Sequence, residues 1–141
     1  MTEEEYLKTR LDDQINWYNK KAKTNKILTQ WSKSLVILFS ASIPLMAGFD
    51  FLNNPSKNIT LGVLGSLISI ISGISGILKF QDKWTEYRNS AEILMHEKML
   101  FQTSSSPFDK QDQPFGFFVN RIENILSNEQ NSWNKYINKD T

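Results

Sequence analysis

Two stretches of this chain carry no charged side chain, and they limit its possible folds more than any other feature. The first is "SLVILFSASIPLMAGF", Ser34 to Phe49, and the second is "ITLGVLGSLISIISGISGIL", Ile59 to Leu78. A helix of about 20 residues, rising about 1.5 Å each, crosses a hydrocarbon core of about 30 Å. The second stretch has that length; the first is slightly short, and Phe51 and Leu52 beyond Asp50 extend it at an interface. The competing arrangement is a helical hairpin buried in a soluble protein. A chain of 141 residues has too little other apolar surface to enclose two uncharged helices on every side. The first stretch is also no secretory signal, because it follows a long charged segment and lacks a small-residue cleavage pattern. Two spans are therefore expected, at about 34–52 and 59–78.

The link between them, "DFLNNPSKN", carries an Asn-Pro turn signal and is short, so the spans are expected to be antiparallel neighbours. Residues 1–33 read as a helix entering the first span, with Leu7, Leu11, Gln14, Tyr18 and Ala22 on one face. Residues 79–141 read as a helix to about 102, a polar loop with two prolines over 103–114, and a final helix over 115–138. The stripe of the first is Trp84, Tyr87, Ala91, Leu94 and Met95; that of the last is Phe118, Ile122, Ile125, Leu126, Trp133 and Tyr136. The expected fold class is an all-α membrane protein: an antiparallel transmembrane hairpin whose helices extend into a cytoplasmic helical module, plus a C-terminal helix. Lys20, Lys21, Lys23, Lys26 and Lys33 precede the first span, and Lys79, Lys83 and Arg88 follow the second, against Lys57 alone in the link. The positive-inside rule then puts both termini in the cytoplasm, with Trp31 and Trp84 at the inner aromatic belt.

The second span has two kinds of surface. On a wheel of about 100° per residue, Gly62, Gly65, Ser66, Ser69, Ser72, Gly73 and Gly76 fall within an arc of about 120°. Val63, Leu64, Leu67, Ile70, Ile71 and Ile74 fill the rest. Such a stripe packs on another helix, because small residues admit close backbones and serines bond across the contact. Alternatively it lines an aqueous path, where hydroxyls meet water or ions. One chain with two spans cannot enclose a pore, so the second reading requires a homo-oligomer of about four to six copies around an axis.

Other residues invite a role. Asp50, at the outer end of the first span, would concentrate cations at a pore mouth; otherwise it is a solvated carboxylate at a helix end. Pro44 removes a backbone hydrogen bond to the Ser40 carbonyl and favours a kink, static or acting as a hinge. Arg88 and Glu129 are charges on otherwise apolar stripes and are expected to pair, within a subunit or across a boundary, with Glu92 and Glu97 as alternative partners. His96 is the single histidine and reads as a surface residue, since "HEKM" lacks the second histidine of a metalloprotease helix. The net charge of +1 gives no pull toward nucleic acid, and cysteine is absent. No phosphate loop, nucleophile elbow or triad is present, so the sequence supports neither catalysis nor a cofactor or metal.

The chain resembles the DUF4231 family, within the SLATT group of two-span bacterial membrane proteins. The resemblance rests on "QINWYNKKA", "ASIPL", the serine- and glycine-rich second span, and "KFQDKWTEYRNSAEILMHEKMLF". In the last of these, Trp84, Tyr87, Arg88, Glu92, Leu94 and Glu97 match W-x-x-Y-R, A-E-x-L and E; "FVNRIENILSNEQNSW" supplies a closing E-x-x-x-W at Glu129 and Trp133. The resemblance implies a cytosol-facing helical module on a two-helix anchor in the bacterial inner membrane. It further implies a pore-forming effector of a bacterial conflict or stress system. The sequence expectation is thus a homo-oligomeric channel passing monovalent or divalent cations. The alternative is a non-conducting scaffold that recruits a soluble partner.

Overall fold

The computed structural model describes residues 1–48 and 55–137, the side chains of 55, 130 and 132–137 excepted. Among these residues there is no strand. Helix α1 runs over Glu3–Gly48, α2 over Pro55–Leu78, α3 over Phe80–Gln102 and α4 over Pro114–Ile137, with a short 3-10 turn at Phe108–Lys110.

Local chemistry explains the boundaries. Thr2 caps α1 in a reciprocal box: its hydroxyl accepts from the Glu5 amide and its own amide donates to the Glu5 carboxylate. Glu3, Glu4 and Glu5 meet the positive end of the helix dipole. Both α2 and α4 begin on a proline, whose fixed φ suits the first helical position and whose missing N–H has no partner there anyway. Pro44 lies inside α1, which remains helical through it.

Helix α3 ends in a Schellman motif. The Ser105 amide donates to the Leu100 carbonyl at 2.9 Å, and the Ser104 amide to Phe101 at 3.1 Å. Ser104 holds the left-handed conformation at φ 49° that this motif needs. A side chain there is strained, so Ser104→Gly is expected to stabilise the protein by about 1 kcal/mol. Chemical denaturation measures this, and a lowered midpoint would contradict it. Lys79, between α2 and α3, has φ 47°. Hydrogen bonding continues across it, from the Lys79 amide to Ser75 and from the Lys83 amide to Lys79, each 3.1 Å.

The chain divides into two bodies. The first is a bundle drawn from Met1–Tyr18 and Asn89–Thr141. Its buried core is Tyr6, Leu11, Ile15 and Tyr18 of α1, Ala91, Leu94 and Phe101 of α3, Phe108, and Phe118, Ile122 and Leu126 of α4. Phe101 stacks on Phe118 with ring centres 4.3 Å apart, and Tyr6 and Phe108 meet Phe118 edge-on. The α1 face differs from the expected one. Tyr6 and Ile15 are buried where Leu7 and Gln14 were expected, and those two are only half-buried. The cause is a π-helical turn over Tyr6–Leu11. Its wider winding brings residues five apart onto one face, so Tyr6 aligns with Leu11. On α3 the seam runs through Ser90, Ala91, Leu94, Glu97 and Phe101, and Met95 is 48% exposed rather than part of it.

The second body is the hairpin, Asn19–Arg88. Half-buried residues recur on α1 at Ser32, Leu35, Val36, Phe39, Ser42, Ile43 and Met46, and on α2 at Leu61, Leu64, Gly65, Ile68, Ile71 and Ser75. The spacing of three and four marks the seam along which the two helices shade each other. The outward apolar side chains have no cover: Ile37 is 68% exposed and Ile77 81%.

Candidate functional site

The α2 helix carries three faces. The half-buried seam is bulky except for Gly65 and Ser75. Val63, Leu67, Ile70, Ile74 and Ile77 form a broad exposed apolar face. Between these faces lies the small-residue stripe, centred about 100° around the helix from the seam. Gly62, Ser66, Ser69, Ser72, Gly73 and Gly76 are exposed on it, and Gly65 lies at its edge. A Cβ added at Gly62, Gly65, Gly73 or Gly76 would meet nothing within 4 Å. The fold of a single chain therefore does not require these residues to be small.

The serines of the stripe are partly satisfied within their own helix. The Ser66 hydroxyl donates to the Gly62 carbonyl at 2.9 Å, and Ser69 to Gly65 at 3.0 Å. That uses the proton of each hydroxyl and leaves oxygen lone pairs outward. Such a surface offers acceptors, which suit water or cations. Asp50 lies outside the described residues.

Arg88 belongs to the hairpin and Glu129 to the bundle. Within the bundle, Glu129 accepts a hydrogen bond from the Ser90 hydroxyl through Oε1, while its Oε2 is buried without a hydrogen-bond partner. His96 is exposed.

The bundle also holds polar pairs that the sequence reading did not identify. Glu97, 5% exposed, receives both arms of the Arg121 guanidinium, at 2.6 and 2.7 Å. The position of Glu97 three residues after Leu94 and four before Phe101 was a legible sign of burial; its partner was not legible. Lys98 pairs with Asp12, tying α3 to α1. Arg10 grips Glu123 at 3.2 and 3.1 Å, and the Tyr6 hydroxyl donates to the same carboxylate at 3.0 Å.

These contacts shift titrations in opposite senses. The Arg10 hydrogen bond holds the Glu123 carboxyl below its ordinary value, against the effect of burial, and the Tyr6 hydroxyl adds to the lowering. Burial pushes the Tyr6 phenol upward, and its bond to Glu123 pushes it further. The folded value of Glu123 is lowered, so its contribution to stability is present above the unfolded carboxyl value. It is lost as pH falls through the folded value. Arg10→Met should therefore move the Glu123 titration to higher pH, as read from its carboxyl carbon NMR shift. An unchanged midpoint would contradict the assignment.

These features define a class: an all-helical chain with two helices long and apolar enough to cross a membrane, neither with any of its apolar window buried. The chain belongs to the DUF4231 family, described as "Protein of unknown function (DUF4231)", whose model matches residues 13–115. The match takes in both apolar stretches and Glu97 but ends at the start of α4, so Arg121, Glu123 and the closing Glu129 and Trp133 lie beyond it. No curated protein and no solved structure matches the chain.

Proposed function

We propose that this protein is the subunit of a homo-oligomeric, cation-conducting membrane channel. The observation that carries the reading is the small-residue stripe, left open because the chain packs α2 through a different face. Uncovered apolar surface on both long helices supports lipid as their solvent. In lipid, a small hydroxylated face gains little from acyl chains. Four to six hairpins arranged about an axis would turn it inward. The outward lone pairs of Ser66 and Ser69 favour cations over anions there. Asp50 at the outer mouth, Pro44 as a hinge and the Arg88–Glu129 register pair belong to the same proposal. The lysine asymmetry supports cytoplasmic termini in a bacterial inner membrane, and the likeness to the SLATT group supports an effector role in conflict or stress.

Purified protein in planar bilayers tests this reading. Discrete cation currents are expected, and oligomers without current would refute it. One observation favours the alternative, a membrane-anchored scaffold: Met95 and Met99, one turn apart on α3, are 48% and 62% exposed. Methionine pairs of this kind suit adaptable partner docking. On that reading Ser72→Leu would impair assembly rather than ion flow.

A further inference from the structure

A groove of about 560 Å³ opens in the hairpin body at the end where its apolar stretches meet charge. Within the apolar stretches it is lined by Val36 and Ile37, with Ser72 and Gly76 at the edge of the stripe nearest the seam, while Phe80 directly follows Lys79 at the charged end. Its charged end carries two lysines, Lys33 and Lys79, with the Ser32 and Ser75 hydroxyls within about one turn of them along the helices, while the Thr29 hydroxyl is spent on the Asn25 carbonyl at 2.9 Å. Lys33 immediately precedes the first uncharged stretch and Lys79 immediately follows the second. The Lys33 ammonium donates to the neutral Gln81 side chain at 2.6 Å, which leaves its charge uncompensated. Among the described residues, neither lysine has an ion-pair partner. Asp82 also lines the groove and would oppose an anion.

We infer that this groove binds one anionic phospholipid, with the phosphodiester at Lys33 and Lys79 and an acyl chain along Val36 and Ile37. The inference rests on the membrane reading proposed above. The chemistry matches on both counts. A phosphodiester needs cations and hydroxyl donors, which the groove gathers at one end. An acyl chain needs an apolar wall leading into the hydrocarbon, which Val36 and Ile37 supply at the other end. A free phosphate would use the first and gain nothing from the second. Basic pockets between helices at a membrane surface suit anionic headgroups for the same reason. Each lysine is worth about fivefold in affinity near such a surface, and Asp82 cancels roughly one of them.

Native mass spectrometry of the full chain, released from mixed phosphatidylglycerol and phosphatidylcholine vesicles, tests the inference. Retention of phosphatidylglycerol over phosphatidylcholine by about fivefold is expected. The Lys33→Gln, Lys79→Gln double variant, left with Asp82 alone, should lose the preference and favour phosphatidylcholine, and the corresponding double arginine variant should restore the preference for phosphatidylglycerol. Asp82→Asn should strengthen it, while Lys57→Gln, at the start of α2, should leave it unchanged. Helical circular dichroism establishes that each variant is folded. Equal retention of the two lipids by the wild type, or an unaffected double glutamine variant, would overturn the inference. So would displacement of phosphatidylglycerol by millimolar inorganic phosphate, which would indicate a free-anion site. Failure to float with phosphatidylcholine vesicles refutes the membrane reading, whereas flotation without lipid preference refutes this inference alone.

Discussion

Ser69→Leu is expected to abolish cation current while leaving the hairpin folded. Ser69 is exposed on the stripe, and leucine is the better helix former, so a single chain loses nothing beyond the Ser69–Gly65 hydrogen bond. In a ring the effect multiplies. Four to six leucines would converge on one axis, replacing oxygen acceptors with branched hydrocarbon and closing the bore by dewetting. Current should fall at least about tenfold, equivalent to about 1.4 kcal/mol or more on the permeation barrier. Circular dichroism and oligomer mass should be unchanged. Ile74→Leu, on the broad apolar face, is the matched control and should conduct normally. Loss of the oligomer in the Ser69 variant would instead mean that the stripe is a packing surface, as the scaffold reading has it.

Phe118→Ala should cost about 3–5 kcal/mol, as expected for removing a fully buried phenyl ring. No part of Phe118 is exposed. Its ring stacks on Phe101 and receives the edges of Tyr6 and Phe108, so it joins α1, α3, α4 and the 3-10 turn at one point. The cavity borders on three aromatic rings, those of Tyr6, Phe101 and Phe108, which are too stiff to collapse into it. A loss of that size is a large share of the about 5–15 kcal/mol that holds an ordinary domain. Chemical denaturation followed by near-ultraviolet circular dichroism should show the bundle melting early. Asn124→Ala, on the exposed side of α4, should stay within about 0.5 kcal/mol of the parent. Equal effects at the two positions would contradict the core described here.

Much of the architecture was legible because it depends on local chemistry. Charge absence marked the two apolar stretches, and prolines marked the starts of α2 and α4 to within a few residues. Period alone placed Leu94, Phe118, Ile122 and Leu126 inside. Three things could not be read locally. The π-helical turn at Tyr6–Leu11 inserts no signature residue, yet it rotates the face of α1 and exchanges Leu7 for Tyr6. The pairing of Arg10 with Glu123 closes a loop of more than a hundred residues, so neither neighbourhood identifies the other. The stripe on α2 was visible in sequence, but its openness was not. That depends on Leu61, Leu64, Ile68 and Ile71, rather than the stripe, forming the seam with α1.

Single-cysteine labelling of α2 tests the central claim most directly, and the chain's lack of cysteine makes the background silent. Ser69→Cys and Ile74→Cys proteins would be reconstituted in vesicles and exposed to a charged, membrane-impermeant thiol reagent. The account predicts that Ser69→Cys reacts and loses current while Ile74→Cys is shielded by lipid and does neither. Reaction at Ile74→Cys with protection at Ser69→Cys would place water and hydrocarbon on the opposite faces and contradict the account.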